Sequence, residues 1–445
     1  MTTGVLERQT LPLFRNGEWY TSLDVVPVGQ ERSGVGGRAS AKDGSRMSHW
    51  HPAPVADCPE APDHSTPPRR ALRPTPDTRR PPLALSLAPE AVLRHDLRLV
   101  RRRLAAPLDP FPLADRRRVM ARALDLFAGG CVDVPALGAQ SPAAFAQQLL
   151  DDVGLPAALV ARWSAMLVER GHELLVPDVS IDDRTLHLVS LPSNTFLCLE
   201  SCISSALAGG ALWIRPSARE PFAAMRFVAC LLASGWPPAR IGFYGVAHAS
   251  LPMLVREVDA TILYGGDELE RRFMGAAHVT INGPGRAVAI VDAQTPPEAA
   301  AAWLTRLVAS DAGRFCTNVG TILCLRDDAS AIAALLADAL DGIGLDDPDW
   351  PLAFALDAES AARMASAVQA ALRPGDRVLT RRPMLIEHEG RSLLAPTLVH
   401  VADIADHPLA GLEYPFPIAA IAAIEADDVP DCCRTARFVH RSGAE

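Results

Sequence analysis

The side chain best placed to do chemistry is a thiol. Cys316 stands in DAGRFCTNVGTILCL, a glycine-containing loop between a helical pattern and an apolar strand pattern. A cysteine held there is exposed yet rigid, which suits a nucleophile that forms a covalent intermediate. The other cysteines, at 58, 131, 198, 202, 230, 324, 432 and 433, show neither CxxC pairs nor the Cys/His spacing of a zinc site. They read as reduced thiols, with Cys198 and Cys202, four apart on a helix, and Cys324, on the strand after Cys316, as core residues. A second feature is Gly265-Gly266 directly before Asp267-Glu268. A small-residue turn leading into a helix offers backbone N–H groups and the positive end of the helix dipole to an anion such as a phosphate.

Elements that would hold these residues follow from the hydrophobic pattern. From Thr185 short apolar runs alternate with helical segments: TLHLVSL, FLCLESCISSALAGG, ALWIRPS, EPFAAMRFVACLLASG, IGFYGV and ATILYGG. This βαβα series predicts a parallel sheet covered by helices. Ligands of such sheets bind at the carboxyl ends of the strands, where LPSNTF, IRPSARE and YGGDE fall. After Asn282 the alternation resumes with AVAIV, the helical PPEAAAAWLTRLVAS, the Cys316 loop, TILCL and a helix from Ala329. Upstream, amphipathic helices are expected from Pro89 and through ADRRRVMARALDLFAGG. Residues 51–90 contain 11 of the 38 prolines, and 28–88 reads as a Pro/Arg/Gly-rich disordered linker.

Composition excludes several chemistries. With 445 residues the chain has room for roughly three compact units, or two and a flexible segment. Its net charge of −9 argues against a nucleic-acid surface. Lys42 is the one lysine among 43 basic residues, which excludes a Walker P-loop, a pyridoxal Schiff base and a Ser-x-x-Lys hydrolase. No GxSxG elbow occurs, the twelve histidines form no metal-like cluster, and no metal is expected. Neither a secretory signal nor a membrane span is indicated, so a cytoplasmic protein is expected.

In order along the chain, LPSNTF (191–196), WIRPSARE (213–220), YGGDE (264–268), INGPGRAVAIV (281–291), DAGRFCT (311–317), LLAPTL (393–398) and LEYPFP (412–417) resemble the successive motifs of the aldehyde dehydrogenase superfamily. RNGEWYTS (15–22) resembles that family's first strand pair. The resemblance implies an α/β fold with a Rossmann-type parallel-sheet cofactor domain and an α/β catalytic domain. The expected segments are an N-terminal strand region at 1–27, the linker at 28–88, a nucleotide-binding domain at 89–282, a catalytic domain at 283–425 and an atypical, truncated ending at 426–445.

Carried over by motif, Cys316 is the nucleophile, and Asn194 donates with the Cys316 backbone N–H to the developing oxyanion. Arg215 takes the place of the family's ribose-binding lysine, followed by Ser217. Ala218 stands where an acidic residue often disfavours a 2′-phosphate, and Arg219 lies beside it, so NADP(H) is favoured over NAD(H). Gly265 and Gly266 meet the pyrophosphate, and Glu413 holds the nicotinamide ribose. Asn282 stands where hydrolytic members carry a glutamate that activates water. That exchange, with LPSNTF and YGGDE, resembles the fatty-acyl-CoA reductase branch. It implies reduction of an acyl thioester, CoA- or carrier-bound, to an aldehyde through a Cys316 thioacyl enzyme. The alternatives are an aldehyde dehydrogenase in which Glu200 or Glu413 replaces the missing base, and a catalytically inactive or truncated paralogue acting as a binding subunit. The expected partners are a small acyl thioester or aldehyde and other copies of the chain in a homo-oligomer.

Overall fold

A computed structural model describes residues 9–29, 83–106, 109–325, 329–355, 357–411, 413–425 and 436–442. The chain divides into two compact units, one of residues up to 148 with 161–264 and 269–281, the other of 149–160, 265–268 and 282 onward.

The first unit's strands are β1 (Gln9–Leu11), β2 (Leu13–Arg15), β3 (Glu18–Tyr20), β4 (Val25–Pro27), β5 (Leu83–Ser86), β6 (Val132–Val134), β7 (Gly138–Gln140), β8 (Asp182–Ser190), β9 (Gly209–Arg215), β10 (Ile241–Phe243), β11 (Ala260–Tyr264) and β12 (Val279–Asn282), whose last residue belongs to the second unit. The main sheet runs β12-β11-β8-β9-β10-β2-β3. Its centre, β11-β8-β9-β10, is parallel, with Leu188 opposite Trp213 and Trp213 opposite Gly242. A parallel sheet needs both faces covered, so its strands read as continuous apolar runs. Every residue of β9 is buried.

Over one face the helix Glu90–Ala105 buries Leu93, Leu97, Val100 and Leu104, the three- and four-residue spacing that gives an amphipathic helix one apolar stripe. The chain steps from β8 to β9 to β10, then returns to lay β11 on the other side of β8. That reversal creates a switch point at the carboxyl ends of β8 and β11, at Ser190 and Tyr264.

The expected linker at 28–88 ends earlier than the composition suggests. Leu83–Ser86 is a strand, parallel to β1 and antiparallel to β4. LALS is four residues long and follows Pro81-Pro82, so its pairing comes from distant partners rather than from its own pattern. The part of the linker at 30–82 and most of the ending at 426–445 lie outside the described residues.

The second unit's strands are β13 (Ala287–Val291), β14 (Val319–Cys324), β15 (Arg377–Val378), β16 (Leu385–His388), β17 (Arg391–Leu394), β18 (Thr397–His400), β19 (Ile418–Ala423) and β20 (Val439–Arg441). Its sheet runs β15-β18-β19-β14-β13-β20, parallel except for β15. The helices Pro297–Ala309 and Ser330–Gly342 bury Leu304, Val308, Ile332, Leu336 and Leu340 in a core with β13 and β14. Burying each such side chain contributes about 1.5–3 kcal/mol.

Residues 149–160, read from the sequence as part of the nucleotide-binding segment, join this unit instead. Phe354 N donates to Gly154 O at 2.8 Å and Arg391 donates to Leu150 O and the Asp151 carboxylate. Among the described residues no helix is long and apolar enough to cross a membrane.

Candidate active site

Cys316 lies in the second unit between the helix Pro297–Ala309 and β14, and it is the one exposed residue among the free thiols Cys198, Cys202, Cys230, Cys316 and Cys324. Cys131 is in a disulfide, which departs from the expectation of uniformly reduced thiols. Just ahead of Cys316 the backbone passes through the left-handed region at three successive residues, Asp311, Ala312 and Gly313, with φ of 53°, 58° and 65°. Two of these are not glycine, and each costs about 1–3 kcal/mol unless its surroundings impose it.

The anchors that impose it are visible. The Asn318 carboxamide accepts a hydrogen bond from Phe315 N at 2.7 Å and donates to Leu307 O and Ser310 O at 3.1 and 3.0 Å. One side chain thus ties the residue before Cys316 to the end of the preceding helix. Gly313 packs against the Phe416–Pro417 backbone, where a Cβ would stand 2.5 Å from Pro417 N.

Beneath Cys316 lies the turn Gly285–Arg286. A Cβ on Gly285 would overlap the Cys316 carbonyl oxygen and stand 2.5 Å from its carbon. One Glu413 carboxylate oxygen accepts hydrogen bonds from both Gly285 N and Arg286 N, the second at 3.1 Å. Arg437 N donates to Gly285 O at 3.1 Å, and one guanidinium nitrogen of Arg286, a residue at φ 46°, donates to both oxygens of Asp267 at 2.5 Å. Burial raises the Glu413 carboxyl above the usual range against the opposing effect of its two amide donors and of Arg286 and Arg437. Although Cys316 is exposed as a residue, its thiol is shielded enough for burial, and then the Glu413 charge, to raise it, with Arg437 opposing.

In the first unit the loop after β8 carries Asn194, half-buried, two residues before Phe196. Phe196 anchors this loop in a cluster with Phe127, Phe145 and Trp163, at ring distances of 5.9, 5.9 and 5.5 Å. Arg226 braces the cluster: fully buried, it lies 5.7 and 5.2 Å from the Phe127 and Phe145 ring centres and donates to the carbonyls of Phe127, Gly130 and Gln140. Arg215, at the end of β9, is buried and donates to Ser190 Oγ and Val246 O, both at 3.0 Å, so it braces neighbouring strand ends. Burial lowers its pKa to about 10. Ser217 Oγ accepts from Arg219 N at 3.2 Å, and both residues are half-buried. At the switch point Tyr264 Oη and Ser201 Oγ lie 2.7 Å apart.

Residues 193–434 match the family model described as the aldehyde dehydrogenase family, more than half the chain. The chain belongs to the aldehyde dehydrogenase family. It is therefore an NAD(P)-dependent oxidoreductase of a family acting on aldehydes. Solved members share its fold. An aldehyde dehydrogenase from Bacillus cereus is 13% identical, with 97% of this chain and 83% of that one covered at a TM-score of 0.69. A salicylaldehyde dehydrogenase from Pseudomonas putida, complexed with salicylaldehyde, is 12% identical over 94% and 81%, at 0.68. A glyceraldehyde-3-phosphate dehydrogenase from Methanocaldococcus jannaschii, complexed with NADP, is 16% identical over 77% and 78%, at 0.60. No protein of curated function matches the sequence.

Within this chain the expected site residues fall in both units. Asn194, Arg215, Ser217 and Arg219 belong to the first, and Gly265, Gly266, Cys316 and Glu413 to the second. The structure brings Cys316 and Glu413 together around Gly285. Sequence reading missed Asn318, Gly285, Arg286 and Arg226. The GPGR turn and the CTN triplet were in view, but nothing local says that a carbonyl sits where a Cβ would be, or that an amide reaches back eleven residues.

Proposed function

We propose that the protein reduces an acyl thioester to an aldehyde through a thioacyl enzyme on Cys316. The observation that carries this reading is the absence, among the described residues around Cys316, of a carboxylate released for work on water. Position 282 holds an amide, and Glu413 is bonded to two backbone amides. An amide cannot accept a proton from water, so the acyl group leaves by reduction or to a thiol.

In the forward direction the Cys316 thiolate attacks the thioester carbonyl, and the carrier thiol leaves with the proton it needs from solvent. Asn194 and the Cys316 backbone N–H are the donors assigned to the oxyanion. The nicotinamide cofactor, when bound, supplies a hydride to the thioacyl carbon. Collapse of the resulting thiohemiacetal releases the aldehyde and returns Cys316 as a thiolate.

Gly266 faces open space, Ser217 and Arg219 remain half-buried at the end of β9, and all three suit a phosphate-bearing nucleotide. Ala218 and Arg219 support NADPH over NADH. Arg215 is committed to Ser190 and Val246 and fits a ribose poorly, whereas Glu413 gives one carboxylate oxygen to the Gly285–Arg286 turn and keeps the other for a ribose hydroxyl.

Intact mass after incubation with acyl-CoA thioesters tests the proposal. An acyl adduct is expected that requires Cys316, is absent from Cys316→Ser, and disappears with NADPH as aldehyde forms. No adduct on the folded protein refutes it. A second reading, oxidation of an aldehyde to an acid, is favoured by the match to the aldehyde dehydrogenase family, and acid formed without CoA would establish it.

A further inference from the structure

We propose that Glu413 is a positioning residue of the nucleophile: one oxygen of its carboxylate holds the Gly285–Arg286 turn against the Cys316 carbonyl. This rests on the reading of Cys316 as nucleophile. Three observations carry it. First, one Glu413 oxygen accepts both successive N–H groups of the turn, and Gly285 is buried. Removing that oxygen would orphan the buried Gly285 amide, at about 1–3 kcal/mol for an unmade buried hydrogen bond.

Second, the turn has little freedom of its own. Arg286 is left-handed, one of its guanidinium nitrogens donates to both oxygens of Asp267, and Gly285 O accepts from Arg437 N. Third, Gly285 and Cys316 touch so closely that no Cβ fits between them. Any movement of the turn is therefore passed to the nucleophile. The charged groups acting on the Cys316 thiol are Glu413, which disfavours the thiolate, and Arg437, which favours it.

The experiment compares wild type, Glu413→Gln and Glu413→Ala in the full chain by three readouts. These are the pH profile of Cys316 alkylation by iodoacetamide, the Kd of NADPH and NADH, and hydrogen exchange at the Gly285 and Arg286 amides. Glutamine keeps an acceptor oxygen and removes the charge. Its alkylation profile should move to lower pH, with NADPH affinity reading separately the oxygen left for a ribose. Alanine removes the acceptor, and exchange at both amides should quicken at least tenfold. In wild type those amides should stay protected when NADPH is added.

An unmoved alkylation profile in Glu413→Gln would overturn the proposal, whatever its NADPH affinity. So would exchange that quickens in wild type on adding NADPH. If wild type binds neither nucleotide, the cofactor reading fails by itself, while the alkylation and exchange results still decide the role of Glu413.

Discussion

Replacing Gly285 by alanine tests the architecture under the nucleophile most directly. The added Cβ would stand 2.5 Å from the Cys316 carbonyl carbon and 2.9 Å from its Cβ, and would overlap the carbonyl oxygen. Comfortable carbon contacts begin near 3.5 Å. The two backbones must therefore separate by about 1 Å, and neither can do so freely. Gly285 is held by Glu413 and Arg437, and the Cys316 loop by Asn318. A displacement of about 1 Å at a reacting centre costs on the order of 100-fold in rate, roughly 3 kcal/mol. Gly285→Ala should thus lose about 100-fold in the acylation rate of Cys316 by an acyl-CoA, measured by quenched-flow mass spectrometry, on a protein that remains folded by circular dichroism. Gly266→Ala is the control, since nothing lies within 4 Å of a Cβ there, and it should acylate like wild type. Acylation of Gly285→Ala within twofold of wild type would refute the reasoning.

Other consequences follow from the same geometry. Asn318→Ala removes the bonds to Phe315, Leu307 and Ser310; kcat should fall at least tenfold with little change in KM, and Asn318→Asp, which keeps the acceptor for Phe315 N, should recover part of the loss. Arg226→Met deprives the carbonyls of Phe127, Gly130 and Gln140 of their donor, and denaturant unfolding should show a loss of about 3 kcal/mol or more. Because burial and the Glu413 charge raise the Cys316 pKa, its thiolate appears only above the usual thiol range of about 8.5, so alkylation should still be climbing there, and a plateau below pH 8 would contradict the shift. Arg219→Ala should weaken NADPH far more than NADH, read by fluorescence titration, if the arginine takes the 2′-phosphate.

Much of the fold is legible in the chain because parallel sheets write themselves as apolar runs. AVAIV is buried at every residue, and ALWIR likewise. The place of Cys316 is legible too: the sequence sets it in a loop between a helix and a strand, and it lies there, exposed. Contacts made by backbone at a distance are not legible. Residues 149–160 join the second unit through Phe354 and Arg391, some 200 residues away in sequence, and no local pattern announces that. Arg226 reads as one of many arginines, yet it is fully buried and braces the ring cluster that anchors the Asn194 loop. Glu413 shows the limit most clearly. Its motif carries a role, while its hydrogen bonds, which depend on a turn 128 residues upstream, carry another.

The two duties open to Glu413 compete for one carboxylate. A base that activates water must have its carboxylate free to take a proton in the transition state. Here one oxygen is shared between two backbone amides that support Cys316, and withdrawing it would loosen the residue whose acyl group the water would attack. Holding the carboxylate in place preserves the geometry for attack and fixes where its other oxygen can act as a base. Releasing it makes a base while spoiling the geometry. With an amide at position 282, hydrolysis is set against acylation at the same turn. On the proposed reading, a thioacyl enzyme on Cys316 would meet a hydride or a thiol before it met activated water. Resistance to hydrolysis then depends on two residues together, and restoring a glutamate at 282 would relieve the conflict without disturbing Glu413.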